Sequence, residues 1–169
     1  MNVQKNVPLA PLTTLGVGGK AHFFAEAHTD KEIKEAIDFA RKHFLQLFIL
    51  GGGSNILVAD DGFDGLMLAV RIPSITSKKE GDHVLITVGA GIAWDELVIW
   101  AIERGLSGLE CLSGVPGTVG GAVVANIGAY GEQCSDTFVS ADVFDLKNAD
   151  NISQVLEKED CNFSYHDSL

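Results

Sequence analysis

Apolar residues recur along residues 29–43 with the spacing of a single helix face. This face is formed by Ile33, Ala36, Ile37 and Ala40. Because positions three and four apart lie on one side of an α-helix, the pattern predicts an amphipathic helix with this face buried. Thr29 and Glu32 have the spacing of a capping box, which indicates that the helix begins at this point.

Short apolar runs predict strands in other parts of the chain. The predicted strands span residues 45–50, 66–70, 84–88 and 138–146. The first is apolar except for one glutamine, so we expect it to be buried, and we expect the second to follow a turn at Gly62 and Gly65. The last alternates apolar and polar positions over part of its length, which is typical of a half-exposed strand.

A second helix is predicted over residues 93–104, with Gly105 at the place of a C-cap glycine. Its expected inner face contains Trp94, Leu97, Val98, Ala101 and Ile102. Because strands and helices alternate along the chain, the fold class is α/β or α+β. The polar segment 77–83 is expected to connect two lobes, so we place the first lobe at residues 1–76 and the second at residues 77–169.

The composition is that of a globular chain of 169 residues, with 46% apolar and 21% charged residues. This length fits one domain, or two small lobes that share a core. The net charge of −11 argues against a surface for nucleic acid or for an anionic membrane, because both require clustered Lys and Arg. The stretch 111–131 is uncharged and long enough to span a bilayer, but its six glycines and Pro116 argue against a spanning helix.

Cysteines and histidines give no sign of a disulfide framework or a metal site. Cys111, Cys134 and Cys161 are widely spaced and odd in number, which fits reduced thiols in the cytoplasm. The histidines are scattered without the spacing of metal ligands, so no metal is expected. The N-terminus has no basic region followed by an apolar core, so no signal peptide is expected.

The strongest chemical signal directly follows the strand predicted at 45–50. It consists of Gly51, Gly52, Gly53, Ser54 and Asn55. Consecutive glycines supply no side chains for packing and cost backbone entropy on folding, but they let a ligand approach the main-chain N–H groups. The segment therefore predicts a nest for an anion or a phosphate. A plain tight turn between strands is the alternative.

A second glycine-rich run occupies residues 113–131 and contains neither Lys nor Arg. Gly114, Gly117, Gly120 and Gly121 place open backbone at short intervals in this run, with Thr118 between them. In an acidic chain without local cations, a phosphate must be held by main-chain N–H groups and helix N-termini. An uncharged wall lined by glycines also suits a flat aromatic ring. The alternative is a buried, tightly packed hairpin.

A third segment imitates a dinucleotide-binding fingerprint. Gly89 and Gly91 lie between a predicted strand and a predicted helix, and Glu110 lies further on, where an acidic residue would be needed. However, Trp94 occupies the place of the third glycine, and its bulk prevents the close approach of helix and strand. We therefore predict an ordinary strand-to-helix turn rather than a Rossmann site.

Four segments, taken together, resemble the UDP-N-acetylenolpyruvoylglucosamine reductase (MurB) family. They are Pro11–Gly19, Leu50–Val58, Ser113–Ala122 with Asn126–Gly131, and Cys161–Ser168. The resemblance spans nearly all of the chain, and the third segment is the most specific. It implies an α+β fold with α/β-like lobes, the FAD-binding fold of the vanillyl-alcohol-oxidase (PCMH) type, in which the flavin lies between two small lobes.

The resemblance also implies roles for particular residues. Residues 51–55 would hold the FAD pyrophosphate, and the second run would flank the phosphates and the isoalloxazine ring. The residues assigned to the cofactor in this run are Ser113, Gly114, Val115, Pro116, Gly117, Thr118, Gly120 and Gly121, together with Tyr130. FAD is expected to be non-covalent, because Ser54 lies in the loop where several related flavoenzymes carry the attaching histidine. In the family reaction, an oxidoreductase step of peptidoglycan synthesis, NADPH reduces the flavin, which then reduces the enolpyruvyl group of a UDP-sugar.

Two features depart from the family pattern. The last family segment usually ends in Tyr-Arg-Asp-Ser, whose arginine helps to bind the substrate carboxylate, whereas this chain has Tyr165 and His166. Both are candidate catalytic residues, although histidine lacks the planar five-donor fork of arginine. The family's proton-donating serine and assisting glutamate belong to a lobe that would follow Leu169, so the 169-residue chain alone is expected to be inactive. Another PCMH-type oxidoreductase and a non-catalytic flavin-binding module remain alternatives, and the oligomeric state stays open.

Overall fold

The computed structural model describes residues 1–146 and 153–168. The chain divides into two compact units, Met1–Pro73 and Ser74–Leu169. The lobe boundary that we expected between residues 76 and 77 lies a few residues inside the second unit.

The first unit contains a four-stranded sheet and one α-helix. Its elements are β1 (Val3–Pro8), β2 (Lys20–Ala27), α1 (Asp30–Lys42), β3 (Gln46–Leu50) and β4 (Phe63–Val70), with a 3-10 helix at Ala10–Leu12. The sheet order is β1-β2-β4-β3, with β1 antiparallel to β2 and the other neighbours parallel. A core of mostly small and aliphatic side chains packs on it, made of Leu9, Ala21, Phe24, Leu50, Met67 and Ala69.

Helix α1 confirms the prediction made from periodicity. It begins after Thr29, whose Oγ1 accepts a hydrogen bond from the Glu32 amide at 3.3 Å. The Glu32 carboxylate accepts in turn from the His28 amide at 2.8 Å, and this contact lowers the pKa of Glu32. All four residues of the predicted apolar face are buried. The helix start is thus fixed by local hydrogen bonds to amides that have no partner within the helix.

Strand β3 occupies the predicted place but not the predicted environment. It lies at the edge of the sheet, and Phe48 and Ile49 are 39% and 43% exposed. The expectation of a buried strand is therefore wrong, and the central strand β4 is the buried one. Gly65 lies within β4 opposite Gln46, so the turn contains Gly62 but not Gly65. An apolar run does not show whether a strand has one neighbour or two.

The second unit consists of small sheets and short helices. Its elements are β5 (Ile75–Glu80), β6 (His83–Val88), α2 (Trp94–Ile102), α3 (Val119–Val124), β7 (Gly128–Ala129), β8 (Glu132–Gln133), α4 (Cys134–Thr137), β9 (Ser140–Phe144) and β10 (Ser153–Glu157). Two further 3-10 helices span Glu110–Leu112 and Lys158–Cys161. The antiparallel pairs are β5 with β6, β7 with β8 and β9 with β10, and β9 lies within the strand predicted at 138–146.

The polar segment 77–83 is not a connector. Strands β5 and β6 form an antiparallel hairpin through it, with Gly81 in the turn at φ +63°. The side chains of β5 are largely exposed, which explains why its sequence resembles a loop. Every second residue of β6 is more buried, so only that strand showed its apolar side in the sequence.

Helix α2 ends as predicted, and its inner face differs at one position. The Gly105 amide donates to Ile102 O at 2.9 Å and the Leu106 amide to Ala101 O at 3.0 Å, which is the pattern of a Schellman motif. Trp94, Leu97, Val98 and Ala101 are buried. Ile102 is 51% exposed, so its placement on the inner face is wrong. Among the residues that the structure describes, no helix is both long and apolar enough to cross a membrane.

Candidate functional site

The first glycine loop, residues 51–55, has its carbonyl groups fixed by neighbours in the same unit. Gly51 O accepts a hydrogen bond from Arg71 Nη1 at 3.0 Å, and Gly53 O accepts one from the Thr14 amide at 2.9 Å. Gly53 has φ +69°, and a Cβ at this position would overlap the carbonyl oxygen of Leu12. Glycine is therefore required at 53 by both backbone conformation and space.

The fixed carbonyls determine where the amides of the loop point. In a trans peptide the C=O and the following N–H point in opposite directions. The Gly52 N–H therefore points away from Arg71, and the Ser54 N–H points away from Thr14. Within residues 1–146 and 153–168, no acceptor contacts the amides of Gly52 and Gly53. The Gly52 amide is thus oriented and has no partner in the described structure, as a donor in a phosphate nest requires.

Arg71 is a residue that the sequence analysis missed. The sequence analysis assigned no cation to the first loop, but the Arg71 guanidinium contacts this loop directly. The same side chain donates to Val70 O at 3.3 Å and lies 3.7 Å from the Glu26 carboxylate. A contact between residues 20 positions apart in sequence leaves no periodic signal that a pattern search could detect.

The second glycine loop, residues 113–121, uses most of its amides internally. The Gly114 amide donates to Asp95 Oδ1 at 2.7 Å, and the Ser113 hydroxyl donates to the same oxygen at 3.0 Å. The Gly120 amide donates to Ala90 O at 3.0 Å. The Gly121 amide donates to Thr118 Oγ1 at 3.4 Å, as in an N-capped helix start. The expectation that these glycines offer unpaired amides is therefore wrong at Gly114, Gly120 and Gly121.

Two other amides of the second loop have no partner in the described part of the chain. They belong to Gly117 and Thr118. Gly120 meets a packing requirement, because an added Cβ would lie 2.9 Å from Ala90 Cβ. Gly121 is exposed, and its Cβ would make only an ordinary contact, 3.5 Å from Thr118 Oγ1. The second loop therefore combines tight packing, which was the alternative interpretation, with a short stretch of unpartnered backbone.

The segment Gly89–Trp94 joins β6 to the start of α2, as predicted for a strand-to-helix turn, and it also contacts the second loop. The Trp94 amide donates to Gly117 O at 3.0 Å. The Trp94 indole is 2% exposed, and its Nε1 donates to Leu112 O at 2.9 Å. Trp94 thus anchors the chain before and within the second loop. Its ring belongs to the core of the second unit, which includes Ile92, Leu97, Val98, Leu112, Ala122 and Cys134.

The two candidate catalytic residues lie at the tip of a tight turn. Ser164 and Asp167 pair through main-chain bonds of 3.0 and 3.3 Å, so that Tyr165 and His166 occupy the turn. His166 has φ +53°, and the Tyr165 side chain is 89% exposed. The two rings are edge to face, with their centroids 4.4 Å apart. The turn therefore presents two polar aromatic side chains together.

Asn126 fixes this turn, and the sequence analysis did not assign it a role. It is 2% exposed, and its Nδ2 donates to Ser164 O at 2.8 Å and to Gln133 Oε1 at 3.2 Å. Its Oδ1 accepts from the Ser135 amide at 3.0 Å. Both ends of the buried amide are thus satisfied, as burial of a polar group requires. The sequence signals were an asparagine within an apolar run and its place in the segment Asn126–Gly131.

A cavity of about 400 Å³ lies beside the turn. Its lining residues are Asn126, Gly128, Ala129, Gly131, Glu132, Gln133, Tyr165 and His166. Oε2 of Glu132 is buried and has no hydrogen-bond partner in the described part of the chain. The lining contains one carboxylate and neither Lys nor Arg. Tyr130, which we expected at the cofactor, is not part of the lining and is 91% exposed.

Comparison with known protein families gives a match over most of the chain. The model of a family described as an FAD binding domain matches residues 21–149. This range includes both glycine loops and ends before the turn that carries Tyr165 and His166.

Similarity to individual relatives extends over the whole chain. The chain is 42% identical over 167 residues to the UDP-N-acetylenolpyruvoylglucosamine reductase of Thermobifida fusca, covering 98% of this chain and 46% of the relative. It is 39% identical over 170 residues to the enzyme of that name from Pseudomonas fluorescens, covering 100% of this chain and 49% of the relative. The chain thus spans about half the length of the curated relatives that it matches.

Solved structures show the same similarity. The crystal structure of UDP-N-acetylenolpyruvylglucosamine reductase (MurB) from Thermus caldophilus superposes with a TM-score of 0.80 at 32% identity, covering 99% of this chain and 57% of that one. A VAO-type flavoprotein from Myceliophthora thermophila gives a TM-score of 0.62 at 18% identity, covering 82% of this chain and 27% of that one. The latter shows the fold alone, and it confirms the expected PCMH-type class.

Proposed function

Because the chain belongs to the FAD-binding domain family and matches UDP-N-acetylenolpyruvoylglucosamine reductases along its whole length, we propose that it is the FAD-binding portion of such a reductase. The observation that carries this proposal is the first glycine loop, in which Arg71 and Thr14 hold the carbonyls of Gly51 and Gly53. An oriented Gly52 amide without an acceptor in the described structure is suited to a diphosphate, because a main-chain N–H supplies a hydrogen-bond donor and positive potential.

Each glycine loop, taken by itself, offers main-chain donors that fit a part of the cofactor, and the two loops differ in how many they offer. The first loop would hold the diphosphate through main-chain N–H groups, with Gly52 as the clearest donor. The second loop would contribute the amides of Gly117 and Thr118, while exposed Gly121 leaves room for a close approach to the backbone. The chemistry that bound FAD supplies in such enzymes is hydride transfer, with NADPH as the proposed reductant. FAD would be bound non-covalently, since the loop has Ser54 rather than a histidine that could attach the flavin.

The cavity beside the Tyr165–His166 turn is the proposed contact for the UDP-sugar substrate. Asn126 holds the turn through Ser164 O, so Tyr165 and His166 would meet the substrate from a fixed backbone. The donor set is weak for a carboxylate, because histidine cannot form the bidentate pair that arginine forms. The Glu132 carboxylate in the lining further disfavours an anionic group.

This charge arrangement favours a second candidate function, a flavin-binding module without reductase activity. A cavity with one carboxylate and neither Lys nor Arg in its lining is poorly matched to an enolpyruvyl carboxylate. The two candidates share FAD binding, and both predict no turnover by the 169-residue chain alone. We expect the 169-residue chain to show bound flavin without substrate-dependent NADPH oxidation above a free-FAD control. Clear turnover by this chain would reject the module and show that the catalytic groups lie within it.

Titration of the chain with FAD, followed by quenching of flavin fluorescence, tests the shared part of the proposal. Gly52 is exposed, and Gly52→Val is expected to abolish binding because the branched side chain covers the amide. Ser77→Val is the control, since it adds the same side chain at an exposed position of β5. Absence of FAD binding by the wild-type chain, or unchanged binding by Gly52→Val, would contradict the proposal.

Acid precipitation of the loaded chain tests the mode of attachment. We expect all flavin absorbance in the supernatant. Flavin retained in the washed pellet would show a covalent bond. The cytoplasmic location and the role in peptidoglycan synthesis belong to the same proposal, and they are supported by the names of the relatives and by three free cysteines.

A further inference from the structure

The Arg71 side chain connects the end of a buried strand to the first glycine loop. Its backbone follows β4, and its amide donates to Ala27 O at 2.8 Å, which continues the pairing with β2. Its side chain is 28% exposed and lies 3.7 Å from the Glu26 carboxylate. The guanidinium is therefore held at its base by the centre of the sheet and at its Nε by an acidic neighbour.

The hydrogen bond from Arg71 fixes the peptide between Gly51 and Gly52, to which the described residues donate no other side-chain hydrogen bond. Three adjacent glycines allow many backbone conformations, and a flexible loop would lose entropy when a ligand orders it. The bond of 3.0 Å between Arg71 Nη1 and Gly51 O holds the plane of this peptide. Because the Gly52 N–H belongs to the same plane, its direction is set before a ligand arrives.

We infer that Arg71 is the positioning residue of the first glycine loop: it orients the Gly52 amide for a diphosphate by holding the Gly51 carbonyl. This inference rests on the proposed function and deepens it, since it assigns the preorganisation of the phosphate site to one side chain. Arg71 acts here through the backbone, and not mainly as a counter-charge. The two effects differ in their response to salt, because added salt screens a charge but leaves a local hydrogen bond in place.

The experiment measures the affinity of wild-type and variant chains for ADP, at low and at high salt, with riboflavin as a probe that lacks phosphates. Arg71→Met removes the donor, and we expect the ADP affinity to fall about tenfold at both salt concentrations. Riboflavin affinity is expected to stay unchanged, because the effect is confined to the phosphate loop. Arg71→Lys keeps one donor and the charge, and we expect it to recover most of the ADP affinity.

Arg104→Met is the matched control. Arg104 also donates through Nη1 to a main-chain carbonyl, that of Trp100 at 3.0 Å, and its loss changes the net charge equally. We expect its ADP affinity to equal that of the wild-type chain. Urea unfolding of each variant shows whether it is folded. If Arg71→Met does not fold, Arg71→Lys is the test variant. Its ADP affinity is then expected to fall a few-fold, because lysine keeps only part of the contact.

Three results would overturn the inference: wild-type affinity in Arg71→Met, or in Arg71→Lys where only that variant folds; a loss that disappears at high salt; or an equal loss in Arg104→Met. Failure of the proposed function looks different. In that case the wild-type chain binds neither ADP nor FAD, so there is no affinity for any variant to lose.

Discussion

The two glycine loops have similar compositions and opposite hydrogen-bonding patterns. In the first loop, neighbours bind the carbonyls of Gly51 and Gly53, and the Gly52 amide has no acceptor in the described structure. In the second, the amides of Gly114 and Gly120 are bound by neighbours. The charged group that hydrogen-bonds to the loop is a guanidinium in the first case and a carboxylate in the second. Glycine density alone therefore does not identify an anion nest. Whether a loop can bind an anion depends on which of its peptide N–H and C=O groups already have partners.

The cores beneath the loops differ as well. The first unit contains no cysteine and no tryptophan, whereas all three cysteines and both tryptophans belong to the second. Cys134 and Trp94 lie in the core cluster that supports the second loop. Tryptophan fluorescence therefore reports on the second unit, and changes that act on the first unit need a backbone signal such as circular dichroism.

The largest effect is expected at the first loop. Gly53→Ala places a Cβ onto the Leu12 carbonyl and forces alanine into a left-handed conformation, so we expect a loss of about 3 kcal/mol in the free energy of unfolding. Gly16→Ala is the control, because Gly16 has a similar φ of +65° but open space around it. Urea unfolding followed by circular dichroism measures both. Equal losses would show that steric overlap contributes nothing at Gly53.

Alkaline pH is expected to weaken the second unit selectively. Burial, together with the Asp136 carboxylate, raises the pKa of the Cys134 thiol to about 11. The folded state thus retains a proton that the unfolded chain releases above a pH of about 8.5, so stability falls as the pH rises towards 11, by about 1.4 kcal/mol per pH unit.

Urea unfolding followed by tryptophan fluorescence at about pH 8 and about pH 10.5 measures this slope. Cys134→Ala removes the titrating thiol, and we expect it to lose this part of the pH dependence. A slope that is the same in wild type and in Cys134→Ala would mean that other groups cause the alkaline loss.

The indole at the base of the second loop is expected to contribute less. Trp94→Phe removes the shorter of the two hydrogen bonds to Leu112 O, leaves only the 3.4 Å bond from the Val115 amide, and creates a void, so we expect a loss of about 2 kcal/mol. Trp100→Phe is the control, because Trp100 is only partly buried and its ring stacks with Arg104 at 4.0 Å. We expect its effect to stay below that of Trp94→Phe in the same unfolding experiment. The reverse order would contradict the anchoring role.

The smallest effect compares two helix caps, one in each unit. Thr118→Val removes the oxygen that accepts from the Gly121 amide, and Thr29→Val removes the one that accepts from the Glu32 amide. Each change is expected to cost about 1 kcal/mol. Because Thr118 is 7% exposed and Thr29 is exposed, we expect the larger loss for Thr118→Val. Unfolding by urea, fitted for each variant, measures the difference.

Local signals predicted helices more completely than sheets. The start and the buried face of α1 follow from Thr29, Glu32 and a repeat of three and four residues, all within one helix. The exposed Ile102 departs from the predicted face of α2, because the periodic pattern continued to the end of the helix while the packing did not. Sheet positions depend on distant partners, and for this reason the edge position of β3 could not be predicted.

Both glycine loops were located from sequence, but their chemistry was not distinguished. The partners that separate them are Arg71 for the first loop and Asp95 for the second, and each lies about 20 positions from the residue that it contacts. Asn126 is likewise 38 positions from Ser164. A glycine-rich motif shows where the backbone can adopt conformations that other residues avoid. The hydrogen bonds that occupy its N–H and C=O groups depend on the tertiary fold.

The edge position of β3 has a consequence for the behaviour of the chain in concentrated solution. Its five residues, Gln46–Leu50, carry no charge and no proline, and two of their large apolar side chains are partly exposed. An open strand edge offers unpaired main-chain groups to any other extended chain, and charges or prolines normally discourage such pairing. In this protein, the shortness of the strand and the overall charge of −11 must supply that protection. Because charge repulsion weakens at acidic pH and in added salt, we expect aggregation to respond to pH and salt more strongly than unfolding does.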